Sequence, residues 1–309
     1  MGASRFDILV PGEINPDLIL SGDVVPEFGQ AEQLVQDARL EPGSSSVIFA
    51  CGAARLGLEV GFAGVCGDDV FGRFMLEAMC ARGVNVDHVR VAREERTGLS
   101  VVLNRVRDRA MLTFSGAIGA LRPDEVDDDL LRSARHLHVS SYFLQAGLRP
   151  GVAGLFARAR GLGLTTSLDT NWDPANAWQG VPEVLAQATV FLPNAAEACA
   201  IVGTSDPGEA AAVLAGQVGT VAVKLGAEGA LGAQGGRLVK VASIPVEPVD
   251  TVGAGDSFDA GFVYGFLQRW DLETCLRLGV VCGALSTQAA GGTAGQPTLD
   301  EALGSLRAK

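Results

Sequence analysis

Short apolar runs, most of them rich in β-branched residues, alternate with longer segments of helical period from one end of the chain to the other. The short runs lie at 6–10, 60–65, 137–140, 165–168, 190–192 and 221–225, and read as buried parallel strands. Helices are predicted between them, at 70–81, 124–134, 151–160, 207–216 and 254–268. Several of these open on Asp or Pro and close on Gly, as helix ends prefer. An alternating β/α order implies a mostly parallel open sheet with helices on both faces and right-handed crossovers. The alternation breaks once, where 99–106 and 110–115 predict a hairpin around the charged turn Arg107-Asp108-Arg109. With residues after Asn15, the hairpin predicts a small β-sheet lid, formed by about 14–40 and 96–116, that stands off the core and closes over a ligand. The sequence shows no internal repeat, low-complexity tract or linker, so a single domain over 1–309 is expected.

Composition narrows the picture. Of 309 residues, 48% are hydrophobic and 19% charged, which suits one dominant core and excludes a disordered chain. Lys and Arg total 24 against 36 Asp and Glu, a formal charge of −12 that disfavours nucleic acid and anionic membranes and points to a small neutral ligand. The six cysteines form no CxxC pair and are expected to be buried, reduced thiols. The opening MGASRFDILVPG shows no targeting pattern, and Arg55 and Glu59 interrupt the most apolar window, so a cytoplasmic protein is expected. No P-loop pattern is present, and His88, His136 and His138 lack metal-site spacing.

The densest chemical signal is Asp250-Thr251-Val252-Gly253-Ala254-Gly255-Asp256, running into an apolar helical segment. Small residues let the backbone approach a ligand, and a helix beginning near Ala254 would aim its free N–H groups at an anion. Asp256 is then either a helix cap, a role Asp259 could fill instead, or a base that takes a proton from an attacking hydroxyl. The stretch DTVGAGDSFDAGF resembles the C-terminal signature of the ribokinase-like (PfkB) carbohydrate kinases, and GFAGVCGDDVFG at 61–72 resembles their N-terminal one through Gly64, Gly67, Asp68 and Gly72. The resemblance covers essentially the whole chain. It implies an ATP-dependent sugar kinase in which Asp256, open to a cleft, is the base and Gly253, Ala254 and Gly255 form the anion hole.

The resemblance also implies roles elsewhere. Asn15 and Asp17, at the end of the first strand, resemble the Asn and Asp that hold sugar hydroxyls; an Asx turn before Pro16 is the plainer reading. Gly43 and Ser44 stand at the family's Gly-Gly, and Ile48 replaces the usual Asn, a departure that weakens the case for ribose itself. Thr97 of the lid, with Asp169 and Asn171 after a central strand, are expected to face the substrate. Asn194 and Glu197 resemble the motif that places Mg²⁺ through water, with a helix cap as the alternative. Lys224, Gly226 and Gly229 resemble the nucleotide-side loop, although Lys224 also reads as a solvent-facing lysine. Ala284, Ser286 and Thr287 are expected to flank adenine, and Asp250, Val252, Ala290 and Gly292 to supply oxygens for a monovalent cation such as K⁺. The implied partners are a small sugar and ATP, with no nucleic acid or membrane, in a homodimer paired through the lid. A nucleoside acceptor stacking on Trp172, a sugar phosphate held by Arg105, Arg107 and Arg109, and a silent ligand sensor stay open. A Rossmann oxidoreductase lacks its fingerprints.

Overall fold

The computed structural model describes residues 5–29, 32–105 and 108–307. From the amino end come β1 (Phe6–Pro11), β2 (Pro16–Ser21), β3 (Asp37–Pro42), α1 (Ser45–Arg55), β4 (Val60–Gly67), α2 (Val70–Ala81), β5 (Val84–Ala92), β6 (Leu99–Arg105) and β7 (Asp108–Phe114). The middle holds α3 (Asp128–Arg132), β8 (Ala134–Val139), α4 (Val152–Gly161), β9 (Thr165–Leu168), α5 (Val181–Leu185), β10 (Val190–Phe191), α6 (Ala195–Val202) and α7 (Pro207–Val218). The last part contributes β11 (Thr220–Lys224), β12 (Ala230–Gln234), β13 (Arg237–Val241), α8 (Ala254–Leu267), α9 (Leu272–Ser286) and α10 (Leu299–Arg307).

Nine strands make the main sheet in the order β13-β12-β11-β10-β9-β8-β1-β4-β5. Every pairing from β11 to β5 is parallel, and β12 and β13 are antiparallel at one edge. Two apolar clusters cover its faces. Ile8 and Val10 point into the one built on α1, α8 and α9, and Leu9 into the one built on α4, α5 and α7. This is the arrangement that apolar residues at successive strand positions require. The second sheet has the order β3-β2-β6-β7, with β2 parallel to β6 and the other two pairings antiparallel. The fold class is thus the expected one, a mostly parallel sheet between helices with a small separate sheet.

Several boundaries differ from the pattern. The helix predicted over 124–134 is a 3-10 turn at Pro123–Glu125 followed by the short α3, capped by Asp127, because the chain must already be extended at Ala134 to pair with Phe6. The strand β5 carries no clear apolar signal, since only its first and last residues, Val84 and Ala92, are buried. The hairpin strands end at Arg105 and restart at Asp108. Arg107 lies outside the described residues, and only the backbone of Asp108 and Arg109 is described. Cys51, Cys66, Cys275 and Cys282 are buried free thiols as expected, whereas Cys80 is exposed and Cys199 half-buried. Among the described residues no helix is long and apolar enough to cross a membrane.

Candidate active site

Parallel strands deliver their carboxyl ends to one edge, and the candidate residues collect there. Phe191 of β10 lies level with Leu168 of β9 and Val221 of β11, so the chain leaves these three strands side by side toward Asp169, Asn194 and Lys224. Asn194 and Lys224 themselves pair as a bridge.

The turn at 250–256 forms the start of α8 as the glycines predict. Gly253 adopts a left-handed conformation (φ 71°), and a Cβ there would lie 2.9 Å from the carbonyl oxygen of Gly292, so no other residue fits without displacement. The helix has no side-chain cap, and the amides of Gly255 and Asp256 precede its first backbone bond, Ser257 N–H to the Gly253 carbonyl (2.9 Å). Ala254 and Gly255 wall a cleft of roughly 530 Å³ together with Lys224, Gly226, Gly229, Ala284 and Thr287, the volume of a small-molecule site. Its opposite wall is apolar, through Ile244, Pro245, Val246 and Pro248. Ser286 does not line the cleft. Ala284 and Thr287, three residues apart on α9, share the face that does, while the Ser286 hydroxyl is buried and donates to the Gly283 carbonyl (2.9 Å).

Asp256 sits in the first turn of α8, 8% exposed. Expected to open onto a cleft, it is buried and does not line this one, and it accepts a hydrogen bond from the Ser45 hydroxyl. Ser45 is in turn held by Asn171, whose Nδ2 donates to its Oγ (2.8 Å) and to Ser141 (2.9 Å). Asp169, Asp256 and Asp259 place carboxylate oxygens within 4.8 Å of one another. Lys224 enters this group: its Nζ is 2.9 Å from Asp169 and 3.0 and 3.1 Å from the two oxygens of Asp259. Lys224 is therefore no solvent lysine, and Asp259 is an ion-pair partner, not a helix cap. Burial opposes the charge on Lys224, yet the carboxylates of Asp169, Asp259 and Glu197 outweigh it and raise its pKa. Burial likewise opposes the charge on Asp169, but Lys224 prevails and holds that carboxyl below its ordinary value. The other two carboxyls of the trio are pushed the other way. Burial, with Asp169 close by, pushes Asp256 up to about 8, and burial drives Asp259 well above its usual range.

The substrate segments divide. Asn15 is buried, with Nδ2 at long contacts of 3.4–3.5 Å to Asp17, Pro16 and Ser100, and Asp17 packs against Gly43, where any Cβ would collide with its carboxylate. Asn15, Asp17 and Gly43 thus meet one another beside Ser100 of β6, while Asn171 is bonded to Ser45 and Ser141. Ser44 serves the scaffold instead. It adopts φ 70° and ψ 122°, a region glycine favours, caps α1 by accepting from Val47 N–H (3.1 Å), and donates to Glu13 (2.9 Å). Thr97 is turned away as well, with its N–H and hydroxyl both donating to Asp69 (2.8 Å each) and its oxygen accepting from Gly67 N–H (2.9 Å). It ties the segment before β6 to the start of α2. Asp169, expected to face the sugar, faces Lys224. Trp172 is 48% exposed and meets Trp178 edge-on at 5.2 Å.

Asn194 and Glu197 form a reciprocal capping box at α6: Asn194 N–H donates to Oε2 (2.9 Å), Asn194 Nδ2 to Oε1 (2.6 Å), and Glu197 N–H to Asn194 Oδ1 (2.9 Å). Each carboxylate oxygen takes one bond and keeps acceptor capacity for a water. Burial, aided by Asp169, pushes Glu197 up to about 7. The Asp250 carboxylate accepts from Val252 N–H and Gly291 N–H (3.0 Å each), which brings the 250–252 and 290–292 segments together.

Sequence reasoning missed Ser45, Glu13, Asp259 and the proline-rich wall. Glu13 is buried and takes hydrogen bonds from Ser44 and from the amide and hydroxyl of Ser46, while burial raises its pKa. The run Ser44-Ser45-Ser46 was the available signal, three hydroxyls in a row before an apolar helix.

An uncapped helix start walling a nucleotide-sized cleft, beside a buried carboxyl, on an open α/β sheet defines a phosphotransferase that acts on an alcohol. The sequence profile of the pfkB family carbohydrate kinase matches residues 7–299, and this chain belongs to that family. It is 32% identical to the ATP-dependent ribose-1-phosphate kinase of Halopiger xanaduensis, over 95% of both chains. With the ribokinase of Haemophilus influenzae it shares 27%, over 97% of this chain and 98% of that one. The structure superposes on an E. coli protein solved in complex with ATP and Mg²⁺, with a TM-score of 0.87 and 24% identity over 98% of this chain and all of the other.

Proposed function

We propose that this protein transfers the γ-phosphoryl group of ATP to a hydroxyl of a small neutral carbohydrate, ribose- or fructose-like, with Asp256 as the general base. The observation that carries this reading is the position of Asp256. Its carboxyl is bonded through Ser45 and Asn171 to the substrate segments, while the amides before it wall the nucleotide cleft. In this reading Asn15, Asp17, Gly43 and Asn171 hold the sugar, and none of them offers a cation to a phosphorylated acceptor. The backbone of Gly253, Ala254 and Gly255 stabilises charge on the transferring oxygens, and Lys224 stands against Gly255 with Nζ 3.7 Å from where a Cβ would be. Lys224 and the 226–229 turn hold the phosphates, and Ala284 and Thr287 flank the base. Transfer moves the acceptor's proton onto Asp256 as its oxygen bonds to phosphorus and ADP leaves.

Magnesium fits Asn194 and Glu197 through water, since Lys224 already occupies Asp169 and Asp259 and each Glu197 oxygen keeps acceptor capacity beyond its one bond. Bound there, the ion supplies charge neutralisation on the phosphates. The same fold in E. coli carries ATP and Mg²⁺. The carbonyls of Val252, Ala290 and Gly292 with Asp250 are the proposed monovalent-cation ligands. The four-stranded sheet acts as the lid of a single kinase domain. Its exposed Met111, Leu112 and Phe114 are the proposed contact between two copies.

The test is ADP release from MgATP across pentoses, hexoses, nucleosides and sugar phosphates, with the Asp256→Asn variant alongside. A neutral sugar should be turned over, and the variant should lose roughly 10²–10⁴-fold in kcat. Turnover confined to a phosphorylated sugar or a nucleoside would replace the acceptor in this reading, and a fully active variant would remove the base.

A further inference from the structure

A second hollow, of about 880 Å³, lies at the opposite edge of the sheet, where β8 and β9 begin and α8 ends. Arg132, Arg135 and Arg269 reach it, Phe266 and Trp270 give it an apolar side, and Thr165 lies between; no carboxylate is among its lining residues. Arg132 pairs with Asp129 (2.8 Å) and Asp128 (3.9 Å) and Arg135 with Asp7 (2.6 Å), partners that stand outside the lining. Arg269 makes no ion pair among the described residues. Its backbone is informative. It closes α8 in the left-handed conformation (φ 60°), its N–H donating to the Phe266 carbonyl and that of Trp270 to Gly265 (3.0 Å each), a helix end at which glycine is the favoured residue. The chain thus keeps a strained arginine over the hollow where glycine would close the helix better.

A buried chain of hydrogen bonds leads from the hollow toward the active site. Thr165 Oγ1 bonds His136 Nδ1, His136 Nε2 bonds Ser167 Oγ, and Ser167 Oγ bonds His138 Nδ1, each at 2.7 Å. The His138 ring stacks on Phe49 of α1 at 3.6 Å, and α1 carries Ser45 in its first turn. Both imidazoles are neutral, burial pushing His136 down to about 3 and His138 well below its ordinary value. His138 Nε2 has no hydrogen-bond partner. A bare lone pair there is tolerable and a buried N–H is costlier, so the donors run outward: His138 to Ser167, Ser167 to His136, His136 to Thr165. The Thr165 hydroxyl is left free to donate into the hollow.

We propose that this hollow binds a small phosphorylated ligand, its phosphate on Arg269, Arg135 and Thr165 and its apolar part on Trp270, and that occupancy is transmitted through His136 and His138 to α1. The probe is inorganic pyrophosphate, titrated calorimetrically into the protein with the catalytic cleft filled by a non-hydrolysable ATP analogue and magnesium omitted. The measurement holds whatever the acceptor of the phosphoryl transfer, so its failure leaves the kinase reading untouched. One saturable site with Kd below about 1 mM is expected. Arg269→Gly should raise Tm while weakening this binding about tenfold or more, and pyrophosphate should move the imidazole ¹⁵N resonances of His136 and His138. No saturable binding, or binding undiminished in both Arg269→Gly and Arg135→Gln, overturns the site; unmoved imidazole resonances overturn the transmission.

Discussion

A carboxyl that rises to about 8 on folding holds a proton in the folded chain that the unfolded chain has already released. The stability this contributes is complete below the ordinary carboxylate value and is lost as pH rises toward 8. Asp256→Asn removes the ionisable group, so its melting temperature should gain on the native protein as pH goes from 5 to 8. Over the same interval native kcat/KM should climb, because the base must be ionised to accept the proton. A stability difference that does not change with pH would show that Asp256 is ionised in the folded protein throughout. Ser44 offers a second test at this scale. Ser44→Ala loses the cap on α1 and a bond to Glu13 but keeps the unfavourable φ, and should cost roughly 1–3 kcal/mol in urea denaturation. Ser44→Gly loses the same bonds yet relieves the backbone, and should cost less. Ser44 was legible as a family position, but its conformation and its partner Glu13 were not, since both depend on residues distant in sequence.

Among the elements, the end of β11 and the start of α8 meet through Lys224 against Asp169 and Asp259. The pair sits where two elements must be held at a fixed distance for the amides of Ala254 and Gly255 to face the cleft. Lys224→Met leaves buried carboxylates without their cation and should cost roughly 3–5 kcal/mol, measured by denaturant unfolding. It should also raise the apparent pKa of the kcat/KM profile, since Lys224 favours the ionised form of Asp256. The capping box at α6 separates a structural from a metal role. Glu197→Gln can keep only one of the two bonds from Asn194, so a slightly lower melting temperature with a higher Mg²⁺ requirement for turnover is expected; unchanged Mg²⁺ dependence would leave Glu197 a cap alone. Element identity was legible wherever a period was clean, as in α2 and β9, whose bounds match the pattern. It failed at α3 and β5, where a strand pairing and an exposed edge overrode the local signal.

For the molecule as a whole, the small sheet presents Met111, Leu112 and Phe114 to solvent on β7. Light scattering should return twice the 31.9 kDa chain mass for the native protein and the monomer mass for Leu112→Asp. A native monomer at working concentration would remove the lid as a dimer contact. The chain's own pattern determined the alternation of strands and helices, the sheet buried on both faces, the separate hairpin and a helix start near Ala254. These depend on periodicity, on glycine spacing and on polar residues following apolar strands, all of which are local. Which side chains face a ligand and which bind one another was decided by the tertiary structure. Ser44 and Thr97 were drawn to Glu13 and Asp69, Lys224 was taken out of solvent into a carboxylate cluster, and Ser286 was turned from the cleft. Each outcome reflects the same physics: a buried polar group must find a partner, and the partners come from strands brought side by side by pairing between segments remote in sequence.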